Sequence, residues 1–138
     1  QHTGELYTDR ERMRSLLRGA LNAAKKSGAN TRNAVAMGYC FGGAAVLELA
    51  RSGTDLKGFV TFHGGLSTPT GQDYSRTKGK LLILHGTADR LVPFAQGQEL
   101  LALAGSTRKS LFAITDARHD QLWTPDAQQA LYRFLDSL

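Results

Sequence analysis

Residues 33–51 read Asn33-Ala34-Val35-Ala36-Met37-Gly38-Tyr39-Cys40-Phe41-Gly42-Gly43-Ala44-Ala45-Val46-Leu47-Glu48-Leu49-Ala50-Arg51. A short apolar run, Asn33 to Tyr39, breaks at Cys40-Phe41-Gly42-Gly43, and Ala44 to Arg51 continues at helical spacing, so the stretch predicts strand, tight turn and helix. Gly38 and Gly42 stand two residues before and two after Cys40. That spacing suits a sharp strand-to-helix turn, in which the flanking positions lack side chains so that strand and helix pack closely.

The same alternation extends in both directions. Upstream, Asp9 to Lys26 carries Met13, Leu16, Leu17, Leu21 and Ala24 at helical period, with Thr8 and Glu11 in a capping-box pattern and Gly28 as a stop. Downstream, Gly53 ends the helix and Lys57 to Phe62 is a second buried strand. His63-Gly64-Gly65 then opens a polar loop that carries Pro69, Gly71 and Asp73. Lys80 to Leu84 predicts a third strand, Phe94 to Ala104 a helix, and Leu111 to Thr115 a fourth strand. Thr124 caps a last helix with Pro125 at its first position. Continuous apolar strands alternating with helices imply an α/β fold of about four parallel strands with helices on both faces. Ligands in such sheets bind beyond the C-terminal ends of the strands.

With 138 residues, 41% hydrophobic and 21% charged, the chain has the composition of one globular domain, taken as 1–138. No apolar run reaches the ~18 residues of a membrane span, and the N-terminal residues lack a signal-peptide layout. The 17 Lys and Arg against 12 Asp and Glu give +5. This excess is read as a solvated basic surface rather than a nucleic-acid site, because no aromatic-interleaved basic block accompanies it. The single cysteine, Cys40, fits a reducing compartment, and the expected location is cytoplasmic.

Cys40 has two readings: a small buried hydrophobe, as free cysteines commonly are, or a nucleophile. The flanking glycines and the strand-turn-helix setting favour the second. There the thiol stands at a helix N-terminus that favours thiolate, and the Phe41 N–H can donate to an oxyanion. Such a nucleophile needs a base and an orienting acid, in the chain order nucleophile, acid, histidine. Asp89 follows the third strand and His119 the fourth, both at the edge where Cys40 lies. Asp116 and Asp120 are nearer His119 in sequence, but loop aspartates there commonly face solvent. His63 and His85 end strands at the same edge, where histidines often serve the backbone, and His2 is expected in a mobile terminus. Tyr39, His63 and Trp123 are the candidates for substrate contact. No His, Cys or Asp pair has ligand spacing, so no metal is expected, and no cofactor either.

Gly38-Tyr39-Cys40-Phe41-Gly42-Gly43, Leu47-Glu48-Leu49-Ala50, Phe62-His63-Gly64, Leu84-His85-Gly86-Thr87-Ala88-Asp89 with Val92-Pro93, and His119 together resemble the dienelactone hydrolase family. The resemblance runs from about Arg10 to Leu138. It implies an α/β-hydrolase fold, here its C-terminal portion, and a Cys40, Asp89 and His119 triad that cleaves small esters or lactones through an acyl-enzyme. Only 39 residues precede Cys40, fewer than the family carries before its elbow. The segment Asp120-Gln121-Leu122-Trp123 lacks the arginine that the lactone hydrolases use for a substrate carboxylate, and the span from Asp89 to His119 is short. The alternative expectation is a catalytically silent, truncated homologue that acts as an oligomerising or interaction module. Lacking the earlier strands, Ala34 to Gly38 would form an apolar sheet edge. That edge predicts a homodimer or pairing with an N-terminal fragment.

Overall fold

The computed structural model of the chain describes residues 2–65 and 74–138, with the backbone alone for His2 and Thr3. The loop positions Pro69, Gly71 and Asp73 lie outside the described residues. Four strands, β1 (Val35–Tyr39), β2 (Gly58–Phe62), β3 (Lys80–Gly86) and β4 (Lys109–Ile114), form one parallel sheet in the order β1-β2-β3-β4. Val35 pairs with Gly58, Gly58 with Lys80, and Leu81 with Lys109, so the C-terminal ends of all four strands share one edge.

Because the strands advance across the sheet in one direction, crossovers of a single hand place their helices on one face. Helices α3 (Phe41–Arg51) and α4 (Phe94–Leu103) lie there together with α2 (Arg10–Lys26). Their core contains Leu47, Ala50 and Leu100 against Phe59, Leu81 and Ile83 of the strands. The alternate strand residues Val60, Phe62, Leu82 and Leu84 point to the opposite face and pack under α5 (Pro125–Asp136) through Ala127, Leu131 and Phe134. Strands β2 and β3 are thus covered on both sides, which is why they read as unbroken apolar runs. Each fully buried Leu or Phe contributes about 1.5–3 kcal/mol.

Helix α5 packs on β3 and β4 and leaves β1 uncovered on its face. Met37 and Tyr39 are accordingly 51% and 45% exposed. Strand β1 is also an edge strand, as expected from the sequence. No helix among the described residues is long and apolar enough to cross a membrane.

Glu48 of α3 is fully buried, and its carboxylate accepts hydrogen bonds from Arg10 Nη1 at 3.1 Å, from Arg14 Nε and Nη2 at 3.1 and 3.0 Å, and from Arg51. Arg51, itself buried, stacks over the Tyr74 ring at 4.0 Å. One carboxylate therefore ties α2 to the core beside the apolar contacts of Met13, Leu17 and Leu21.

Several local expectations are corrected. A first helix, α1 (His2–Thr8), precedes α2 where the sequence pattern predicts no element; its seven residues include Gly4 and carry no apolar period. The α2 cap is Asp9, whose carboxylate accepts from the Arg12 N–H at 2.9 Å. Thr8 instead donates its hydroxyl to the Glu5 carbonyl at 2.8 Å, which displaces the expected Thr8–Glu11 box by one residue. Helix α3 begins at Phe41, three residues before the apolar pattern, because the turn at Cys40 delivers the chain directly into helical geometry. Thr124 caps α5 as expected, accepting from the Ala127 N–H at 3.2 Å.

Candidate active site

Cys40 lies between the last residue of β1 and the first of α3, with φ +51° and ψ −117°, and its side chain is exposed. A non-glycine residue with positive φ costs free energy and persists only where its surroundings enforce it. Here the Cys40 N–H donates to the Phe62 carbonyl at 3.0 Å and the Cys40 carbonyl accepts from the Ala44 N–H at 3.1 Å. The exposed thiol rules out the buried-hydrophobe reading. The Phe41 N–H belongs to the first turn of α3, where helix geometry leaves N–H groups without intrahelical partners.

The glycine requirement falls partly where the sequence placed it. A Cβ on Gly38 would sit 2.2 Å from the Gly42 carbonyl oxygen, so no side chain fits there. A Cβ on Gly42 would meet nothing within 4 Å. The second close approach is at Gly43, whose added Cβ would lie 2.9 Å from Gly64 Cα, while one on Gly64 would lie 2.7 Å from the Gly43 carbonyl carbon. Helix α3 and the loop after β2 thus touch backbone to backbone.

Asp89 is buried in the turn after β3. Its Oδ1 accepts from the Leu91 and Val92 N–H groups, both at 2.9 Å, and Oδ2 lies 2.8 Å from His119 Nδ1. Burial works against its ionisation, yet the Val92 N–H, the His119 ring and the Leu91 N–H hold the carboxyl below its ordinary value. An ionised carboxylate only accepts, so the His119 proton resides on Nδ1 and Nε2 faces away from Asp89. His85 props the same turn: its Nε2 donates to the Val92 carbonyl at 2.8 Å and lies 3.6 Å from Asp89 Oδ2. The competing aspartates, Asp116 and Asp120, are both exposed.

The outward Nε2 of His119 is 2.8 Å from Nδ1 of His63, a residue that leaves β2 at φ +38°. A donor atom from each of Cys40, His63 and His119 lies within 4.8 Å of the other two. The structure thus brings together Cys40, Asp89 and His119 and adds His63, placing it in the histidine's hydrogen-bond chain. Burial and the neighbouring His119 lower the His63 pKa to about 4, so the ring is neutral near pH 7. Tyr39 stacks on Phe62 at 4.2 Å and meets His63 edge-on at 6.3 Å. Trp123, 54% exposed, stands further out against Phe62 at 6.0 Å. Sequence reasoning missed Tyr7, whose ring sits edge-on to Phe41 at 5.3 Å and beside Gly65. Burial and the nearby Cys40 raise its pKa, against the pull of Arg10. His119 also lines a cavity of about 400 Å³ together with Ala88, Arg90, Leu91, Arg118 and Asp120.

The His63 shift makes stability depend on pH. The unfolded side chain takes up a proton near pH 6.5 and the folded one only near about 4, so between these values the unfolded state binds more protons and stability falls as pH falls. Asp89, with its lowered pKa, acts in the same direction at more acidic pH. The urea midpoint is expected to drop between about pH 7 and about pH 4.5, and His63→Gln is expected to flatten that slope. Equal slopes in the two proteins would contradict the assignment.

Comparison with known proteins bears on the chain as a whole. The dienelactone hydrolase family model matches residues 2–117. A dienelactone hydrolase-like promiscuous phosphotriesterase from metagenomic libraries is 26% identical, with a TM-score of 0.76 over 98% of this chain and 65% of that one. A protein designated m3DLH is 27% identical, with a TM-score of 0.77 over 98% of this chain and 65% of its own. SOBER1 of Arabidopsis thaliana is similar in fold, at 20% identity and a TM-score of 0.75 over 90% of this chain and 61% of its own. The chain therefore spans about two thirds of the length of these relatives. A comparison with curated protein sequences found no match.

Proposed function

The chain belongs to the dienelactone hydrolase family, and from that premise we propose that it is a carboxylic ester hydrolase that uses Cys40 on small esters or lactones. The observation that carries the reading is the 2.8 Å pair of Asp89 and His119 with the Cys40 thiol in reach at a strained turn. In this reading Cys40 Sγ attacks the carbonyl carbon while His119 Nε2 accepts the thiol proton. Reaching Sγ requires Nε2 to exchange its bond to His63, a displacement within the 4.8 Å span of the cluster. Asp89 holds the Nδ1–H tautomer and stabilises the imidazolium, and the Phe41 N–H binds the oxyanion. Collapse of the tetrahedral adduct expels the alcohol, which takes the proton from His119. Water, deprotonated by His119, then cleaves the thioester. Tyr39, His63 and Trp123 border the substrate. Neither a cofactor nor a metal has a role in this scheme.

Intact mass measurement of the chain quenched during turnover of p-nitrophenyl acetate tests this directly. One acetyl group mapped to Cys40 is expected. Release of p-nitrophenolate with no adduct at Cys40 would overturn the thiol route, and no release at all would leave the silent interaction module as the better account.

The β1 edge, with Met37 and Tyr39 exposed beside it, supports a companion proposal: this edge pairs with a second copy of the chain or with a separate N-terminal fragment. Sedimentation of the chain alone at micromolar concentration is expected to show a dimer. A clean monomer contradicts self-pairing.

A further inference from the structure

Cys40, His63 and His119 come from three different connections of the sheet, 23 and 56 residues apart in sequence, and so escape any test based on ligand spacing. In space they present one thiol sulfur and two imidazole nitrogens, all within 4.8 Å of one another. We propose that these three side chains form a binding site for a thiophilic divalent cation, Zn²⁺ in the first instance, and that an ion held there occupies the nucleophile and silences the hydrolase.

Three observations support the site. Sulfur with two imidazoles is a donor set that suits zinc, and three protein ligands leave the fourth tetrahedral position to water. Zn–S near 2.3 Å and Zn–N near 2.0–2.1 Å require donor atoms about 3.3–3.6 Å apart. The His63–His119 pair, at 2.8 Å, would open slightly, and the remaining separations, up to 4.8 Å, would close by side-chain rotation. The second support is the group behind His119: Asp89 Oδ2 takes its Nδ1–H at 2.8 Å. A carboxylate so placed fixes the ring with Nε2 as the metal donor and raises its basicity. Third, Asp89 is itself held by two backbone N–H groups, so this outer shell is rigid before any ion arrives.

The proton balance is simple. Zn²⁺ displaces the Cys40 thiol proton to water. The hydrogen now shared between His63 Nδ1 and His119 Nε2 moves to His63 Nε2 by tautomerisation, which frees both facing nitrogens for the ion.

The test uses the chain without substrate. Titration with Co²⁺ as a spectroscopic stand-in is expected to give one equivalent with a sulfur-to-cobalt charge-transfer band, which Cys40→Ser abolishes. Zn²⁺ affinity by calorimetry is expected to fall at least about 10-fold in His63→Gln and about 10- to 100-fold in Asp89→Asn. Alkylation of Cys40 by iodoacetamide in the unsubstituted protein is expected to be blocked by Zn²⁺, a readout that needs no variant to fold. Co²⁺ spectra without the thiolate band, or alkylation unaffected by Zn²⁺, would overturn the proposal. The inhibitory consequence rests on the hydrolase reading, but the metal readouts do not. A chain that binds Zn²⁺ and cleaves no ester refutes the reading of function and keeps the site; one that cleaves esters and leaves Zn²⁺ unbound does the reverse.

Discussion

Cys40→Ala is expected to lower kcat/KM for p-nitrophenyl esters by at least about 10⁴-fold while leaving the fold intact. Removal of a covalent nucleophile costs roughly the whole advantage of the triad, because the base and the acid have nothing left to activate. What remains is catalysis by binding and oxyanion contacts, about 10³- to 10⁴-fold over water in comparable enzymes. The substitution is structurally mild, since the Cys40 side chain is exposed and the hydrogen bonds of that residue are made by its backbone to Phe62 and Ala44. Alanine must still adopt φ +51°, a strain that cysteine already bears, so little change in stability is expected alongside. Cys40→Ser retains size but replaces a thiol by a far weaker acid and poorer nucleophile, and its rate should fall between the other two. Equal rates for wild type and Cys40→Ala would remove the case for a thiol hydrolase.

Glu48→Ala is expected to destabilise the protein by about 3–5 kcal/mol, the range for removing one partner of a buried ionic cluster. The carboxylate has no exposed surface and serves Arg10, Arg14 and Arg51 at once, with Arg51 only 3% exposed. Deleting it leaves a buried guanidinium without the carboxylate it faces and cuts the polar tie between α2 and α3. The control is Glu11→Ala. Glu11 pairs with Arg14 at 2.8 Å but is 71% exposed, and exposed pairs contribute about 0–1 kcal/mol. Chemical denaturation of both variants separates the two cases. A loss below about 1 kcal/mol for Glu48→Ala would show that solvent reaches the cluster.

The sheet was readable because β2 and β3 are buried on both faces, and that burial demands the unbroken apolar runs Lys57 to Phe62 and Lys80 to Leu84. The placement of Cys40, Asp89 and His119 at one edge was readable too, since parallel strands place all their C-terminal ends together. The contact of His63 with His119 was not. It depends on the left-handed turn at His63 and on the course of a loop 56 residues away, neither of which leaves a local pattern. Helix α1 escaped for the opposite reason: it is seven residues long, includes Gly4 and lacks a periodic apolar face. The second glycine contact was assigned one residue early, to Gly42 instead of Gly43. Spacing around the elbow describes the turn itself, whereas the crowding at Gly43 comes from the loop after β2.

The backbone contact between Gly43 and Gly64 also bears on directed evolution of this scaffold. Randomising either position would fill a library with misfolded clones, because neither site has room for even a methyl group. Tyr39, Leu91 and Trp123 are 45%, 76% and 54% exposed, and they offer diversity around the same edge away from that backbone contact.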